Sequence, residues 1–203
     1  IDDSPKPEIG KIINSNFKEV NYFFRKNKKG RGSAVLYGIS KALKNKKINL
    51  IIEMDADFSH NPKELKKNIE YFKSNNSDLL IASRYLKNSQ ILNWSFGRRI
   101  LSKLSNRLAR TLLNVKLNDF TNGFRIYSTR ATERITKTCG NIGDGFIILS
   151  EIIIVIKNNS FKIDEIETIF VNRSRGESSV NMKLILASLY GIFKLYFIKN
   201  RLN

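Results

Sequence analysis

The residues best suited to chemistry are Asp55 and Asp57, spaced as Asp-Ala-Asp at the end of the apolar run Ile48 to Met54. That run is short, β-branched and without alternation, which predicts a buried strand of the parallel type. Asn61-Pro62 follows as a cap residue with proline at the first helical position, so a helix is expected from there. In open α/β sheets ligands bind beyond the carboxyl ends of the strands. Two carboxylates delivered there can face one divalent cation. Mg2+ favours one or two carboxylates and takes its other ligands from water and substrate phosphates. The pattern points to a metal–diphosphate site. An isolated Asp-x-Asp also fits a solvated turn or helix-capping acids, so the surrounding chain has to decide.

Cations recur where they would face such a site. A second strand is expected over Asp78 to Arg84, ending in Arg84. Asp119 to Tyr127 has turn chemistry at Asn122-Gly123 and then a short extended run starting with Phe124-Arg125. Asn172 to Ser179 reads as a cationic loop, with Arg173, able to close over a diphosphate. Lys28-Lys29-Gly30-Arg31-Gly32-Ser33 leads into a helix over Ala34 to Leu43. Glycines and cations at a helix N-terminus make an anion cradle, although a plain turn fits the same residues.

The elements that must hold these residues alternate strand with helix, which predicts an α/β fold with a mostly parallel sheet. Lys63 to Ser74 is an amphipathic helix with Leu65, Ile69 and Phe72 inward. Phe96 to Asn114 is a basic helix carrying Arg98, Arg99, Lys103, Arg107 and Arg110, fit for solvent or for an anionic membrane face. Gly145 to Lys157 is too short to span a bilayer and reads as a buried helix. Its lone Glu151 is expected in a core ion pair, because isolated buried charge is costly. Phe161 to Val171 is β-prone, and Lys183 to Lys199 forms a helix whose Tyr190, Phe193, Tyr196 and Phe197 suit a membrane interface and equally a packed domain edge, the membrane being favoured by a small margin. Near the start, Ile1-Asp2-Asp3 looks like the tail of a strand, and Phe17, Val20, Tyr22, Phe23 and Phe24 look like packing residues.

A chain of 203 residues supports one α/β domain. Its net charge of +18 implies polyanionic partners, namely phosphorylated substrates, an anionic membrane or nucleic acid. No zinc-finger spacing or aromatic RNA-binding strand accompanies the charge, so nucleic acid is not expected. The single Cys139 excludes an intramolecular disulfide framework, and the single His60 argues against a histidine zinc site or a serine triad. The chain opens at Ile1 without a leader, which suggests a piece of a longer protein.

Six segments in order resemble the dolichyl-phosphate mannosyltransferase group of family 2 glycosyltransferases, over nearly the whole chain. They are Asp2-Asp3-Ser4-Pro5, then Gly30-x-Gly32-x-Ala34 with Gly38, then Met54 to Pro62. Ser83-Arg84-Tyr85, Asp119-x-Thr121-x-Gly123-Phe124-Arg125-x-Tyr127 and Arg173-x-x-Gly176-Glu177-Ser178 complete the series. The resemblance implies a GT-A type, Rossmann-like fold lacking its first strand and helix. Residues 1–179 would be the catalytic domain and 180–203 an amphipathic membrane-interface helix. It implies metal-dependent, inverting transfer of a hexose, mannose first, from a nucleoside diphosphate sugar to a polyprenyl or dolichyl phosphate. Mg2+ or Mn2+ would sit on Asp55, Asp57 and Ser59, and Asp2, Asp3, Ser4, Gly30, Asp55, Ala56 and Asp57 would bind the nucleotide-sugar. Asp57, Arg84, Arg125 and Arg173 would serve catalysis, while Arg84, Arg98, Arg99, Ser102 and Arg173 would meet the lipid phosphate. The place of work would be the cytoplasmic face of a membrane. UDP-glucose in place of GDP-mannose, another lipid phosphate, and a non-catalytic basic membrane- or nucleic-acid-binding module stay open as alternatives.

Overall fold

A computed structural model of the chain describes residues 1–26, 30–143, 145–172 and 182–202. Its main sheet has the order β1-β4-β2-β5, with β1 at Leu50–Glu53, β2 at Leu79–Ser83, β4 at Arg125–Ser128 and β5 at Ile163–Glu167. β1, β2 and β5 point the same way, and β4 runs antiparallel between β1 and β2. A second, small sheet pairs β3 (Gln90–Leu92) with β6 (Ile169–Val171) in parallel. The α/β architecture with a Rossmann-like sheet is as expected; β4 makes that sheet mixed.

β2 is apolar on both faces because both are covered. Leu79 and Ile81 share one core with Tyr127, α2 (Gly30–Ala42), α5 (Thr129–Thr138) and α6 (Ile147–Asn158). Leu80 and Ala82 share the other with Phe124, Ile126 and Phe72 of α3 (Leu65–Ser74). Residues Ile147 to Ile156 of α6 are all buried, which is why that helix is apolar all round instead of striped. α1 (Glu8–Asn16), α4 (Phe96–Leu113) and α7 (Met182–Ile198) complete the helices. Local chemistry sets several of the boundaries. The Asn61 side chain accepts the Lys63 N–H at 3.0 Å ahead of a 3-10 turn at Pro62–Glu64. α4 stops at Asn114, which adopts the left-handed conformation (φ 52°) that ends many helices.

Four expectations change. β1 lies at one edge of the main sheet and all four of its residues are only half-buried, so the fully covered strand is β2. Phe17 and Val20 are exposed, and Asp2 makes only an isolated bridge to Phe24. α1 and α5 are two further helices, in stretches where the sequence reading places none. Glu151 is fully buried, yet among the described residues it has no ion pair. Its two oxygens accept the Gly140 N–H at 3.2 and 3.1 Å, and burial pushes its carboxyl up despite that bond. No helix among the described residues is long and apolar enough to cross a membrane. α7 sends Ile192 and Leu195 into the main core while Tyr190 and Phe197 stay exposed.

Candidate active site

The carboxyl ends of β1 and β2 open on the same edge of the sheet as the amino end of β4. A cavity of about 190 Å3 lies there. It gathers Asp55, Asp57 and Ser59 from the segment after β1, Arg84 from the end of β2, and Thr121, Asn122 and Gly123 from the loop before β4. Trp94 comes from the segment just before α4 and Arg98 from its first turn, with Ser102 one turn on, and α7 closes one side through Ser188, Leu189 and Ile192.

His60 ties these strand ends together. Its Nδ1 accepts the Asp55 N–H at 3.1 Å, which leaves Nε2 to donate to Asn122 Oδ1 at 3.0 Å. Asn122 in turn donates to the Ala82 carbonyl. The ring stacks on Phe124 at 5.4 Å and meets Phe170 edge-on at 5.5 Å. Burial holds its pKa below the ordinary 6.5, outweighing the pull of Asp55 and Asn122, so the imidazole is neutral near pH 7. Next to it, Asp57 Oδ1 accepts both the N–H (3.1 Å) and the hydroxyl (2.6 Å) of Ser59. This turn carries Phe58 at its apex with φ 61°, largely exposed.

Arg84 is held as rigidly. Asp119, fully buried, accepts its Nε at 2.7 Å, its Nη2 at 2.8 Å and its backbone N–H at 3.0 Å. Thr121 Oγ1 takes Nη2 as well, at 2.7 Å. Burial alone would push the Asp119 carboxyl up, but Arg84 and the surrounding N–H groups hold it below its ordinary value. The loop bearing Asp119 is itself fixed. Glu165 of β5 accepts the Asn118 and Asp119 N–H groups, and Asn106 of α4 accepts that of Phe120 at 2.7 Å.

Arg125 does not join the cavity. It is fully buried, and its guanidinium donates to the carbonyls of Asn122 (2.8 Å), Leu149 (2.9 Å) and Phe120 (2.9 Å). All three nitrogens serve the backbone, so Arg125 shapes the loop and does not offer charge to a diphosphate. Asp2, Asp3, Ser4, Gly30, Ala56 and Arg99 also lie outside the cavity lining. Asp2 accepts the Ser4 N–H (2.8 Å), the Ser4 hydroxyl and the Tyr22 hydroxyl, both at 2.5 Å. Asp3 is clamped by Arg25, which reaches Ser33 Oγ at 2.7 Å. Arg99 donates to the Ile91 carbonyl at 2.6 Å. Arg173 lies outside the described residues, as does most of the cationic loop around it.

Trp94 carries no site motif in the sequence, Asn122 reads only as a turn residue, His60 falls inside the Met54 to Pro62 segment without a role of its own, and Arg31 belongs to the expected anion cradle. Arg31, from the first turn of α2, donates Nη1 to Asp55 Oδ1 at 2.9 Å and Nη2 to Glu53 Oε1 at 3.0 Å. The cationic glycine segment therefore meets the protein's own carboxylates here in place of a phosphate. Burial disfavours its charge, but Glu53 and Asp55 outweigh that and raise its pKa. Among the described residues, Arg31 Nε and Trp94 Nε1 are buried donors without an acceptor, and both residues line the cavity. Arg98 lies over the Trp94 ring at 4.1 Å and donates to Asn172 at 3.1 Å. The available signal for Trp94 was an aromatic immediately ahead of a basic helix.

The profile of glycosyl transferase family 2 matches residues 1–136. The chain belongs to this family. It is 33% identical over 198 residues to the dolichol-phosphate mannosyltransferase of Pyrococcus furiosus, covering 96% of this chain and 53% of that one. It is 30% identical over 184 residues to the polyprenol monophosphomannose synthase of Mycolicibacterium smegmatis, covering 91% and 68%. The chain thus spans about half to two thirds of these relatives. Among solved structures, glucosyl-3-phosphoglycerate synthase from Mycobacterium tuberculosis in complex with UDP superposes with a TM-score of 0.56 at 11% identity. That match covers 98% of this chain and 67% of the other and speaks for the GT-A fold.

Proposed function

We propose that this family 2 glycosyltransferase moves a hexose, mannose first, from a nucleoside diphosphate sugar to a polyprenyl or dolichyl phosphate with inversion. The observation that carries the reading is the meeting of Asp55 and Asp57 with Arg84, Arg98 and two buried donors, unpaired among the described residues, around one cavity at the sheet's carboxyl edge. Unpaired donors suit a ligand rich in anionic oxygen. The names of the two curated relatives support the acceptor class and the sugar. Asp55 and Asp57 would hold Mg2+ or Mn2+, since oxygen donors and two carboxylates fit a hard cation that shares its shell with phosphate. Such an ion supplies Lewis-acid stabilisation of the departing diphosphate. Ser59 orients Asp57 through the bonds already described. Arg84, its position set by Asp119, and Arg98 can share the developing charge. A lipid phosphate is already anionic near neutral pH, so the acceptor needs no general base. That agrees with a single histidine that is buried, neutral and engaged on both nitrogens.

Exposed residues of two packed helices support a membrane-borne acceptor. α4 exposes Phe96, Ile100 and Leu104 at successive turns beside Lys103 and Arg107, and α7, packed on α4, exposes Tyr190, Phe193 and Phe197. Apolar residues interleaved with cations suit the cytoplasmic face of an anionic bilayer. The test is sugar transfer to a short polyprenyl phosphate, with GDP-mannose and UDP-glucose compared, with Mn2+, Mg2+ or chelator. Metal-dependent transfer that disappears in Asp57→Ala supports the reading, and the preferred donor settles base and sugar. Protein that turns over neither donor, yet binds anionic vesicles with or without metal, sinks it in favour of a basic binding module.

A further inference from the structure

The contact between Arg31 and Asp55 is unexpected if Asp55 is a metal ligand, because the guanidinium occupies one of the two oxygens of that carboxylate. We propose that Arg31 is the resident counter-cation of this site. It holds Asp55 while no divalent ion is bound, then yields Asp55 to the ion and turns that arm to the donor's diphosphate. The inference rests on the reading that Asp55 and Asp57 bind the metal.

Three observations carry it. First, the two arms of the guanidinium are unequal. The Glu53 side chain is 11% exposed and is also held by the Tyr127 hydroxyl at 2.7 Å, whereas the Asp55 side chain is 37% exposed. Water screens the Asp55 arm more, so that arm lets go first while Glu53 acts as the pivot. Second, among the described residues Nε is a buried donor without an acceptor in a residue that lines the cavity, so the side chain has hydrogen-bonding capacity left for an incoming ligand. Third, room is kept for it. A Cβ on Gly123 would come within 1.7 Å of Arg31 Nη2, and the Phe146 ring lies 5.5 Å from the guanidinium on a further side. A planar cation with a fork of donors suits a diphosphate as well as it suits a carboxylate.

The handover makes two affinities move in opposite directions, which a merely supporting residue does not do. Mn2+ binding is measured by electron paramagnetic resonance on wild type and Arg31→Met, followed by GDP and UDP binding at saturating Mn2+. Losing the competitor should tighten Mn2+ binding about tenfold, and losing the phosphate ligand should weaken the preferred nucleotide by about the same factor. Gly123→Ala provides a second variant that keeps the positive charge and displaces the guanidinium; it should also bind Mn2+ more tightly, which separates direct occupation of Asp55 from the general field of a nearby cation. Wild type that binds Mn2+ while both variants bind it no more tightly overturns the handover and leaves the metal reading standing. Wild type that binds no Mn2+ with either nucleotide overturns the metal reading and the handover together.

Discussion

Replacing Asp119 by asparagine changes one oxygen to an amino group at the most heavily used carboxylate near the site. Asp119 accepts five bonds of 3.1 Å or less, three from Arg84 and one each from the Thr121 and Asn122 N–H groups. An amide has one acceptor oxygen, so its NH2 would face a guanidinium or a backbone N–H, donor against donor. Arg84, itself only 7% exposed, would lose its counter-charge. Breaking one side of a buried pair costs about 3–5 kcal/mol. For a domain of this size each kcal/mol moves the melting temperature by about 2–4 °C, so Asp119→Asn should melt about 6–20 °C lower. Thermal unfolding followed by circular dichroism reads this directly. Adding Arg84→Met should recover part of the loss, because the stranded charge is then gone, with a coupling of about 2 kcal/mol or more. The pH dependence has a definite sign. The folded pKa of Asp119 lies below its ordinary 3.8, so its contribution is present above that value and disappears as the pH falls through the lower folded value. The variant should lack that acid-sensitive component. A melt within about 2 °C of wild type, or strictly additive single substitutions, would refute the reasoning.

Arg125→Lys should lower stability by about 2–4 kcal/mol, since one ammonium cannot serve three carbonyls in the planar fork. Transfer per folded molecule should stay within about threefold of wild type. A variant that melts normally yet loses transfer would return Arg125 to the chemistry. Glu151→Gln keeps an acceptor for Gly140 and removes a buried charge. The folded pKa of Glu151 is raised above its ordinary 4.5, so its contribution is present below 4.5 and lost as the pH rises through the folded value. The variant should therefore melt about 2–4 °C above wild type at pH 8, roughly 1 kcal/mol, and level with it below pH 4.5. Equal melting at pH 8 counts against a costly buried charge.

The Asp-Ala-Asp segment was legible because its context is local: an apolar run before it, and Asn61 with Pro62 after it. Arg84 was legible for the same reason, standing at the end of an apolar strand. Arg125 stands beside a strand in the same way, yet it points into the core, and what decides this is the Leu149 carbonyl on α6, far along the chain. Sequence spacing holds no information about that meeting. Glu151 was rightly placed in a buried helix, but its partner is a backbone N–H, and backbone groups leave no trace in residue types. Arg31 was read with its glycines as an anion cradle; only the fold reveals that Glu53 and Asp55 stand across from it. His60 was used to exclude metal and triad chemistry, while its role as a clamp depends on Asn122, brought close by the crossover between β1 and β4.

That clamp gives the molecule a built-in reporter. With one histidine in the chain, imidazole resonances in a nitrogen-correlated magnetic resonance spectrum belong to His60 without assignment. Its two nitrogens have opposite duties, so their shifts distinguish the accepting from the donating atom. Because Nδ1 rests on the Asp55 N–H, a paramagnetic ion arriving at that aspartate would broaden this signal first, and a diamagnetic one would shift it. Occupancy of the centre could thus be followed in solution from a single ring, with uniform nitrogen-15 enrichment and no residue changed.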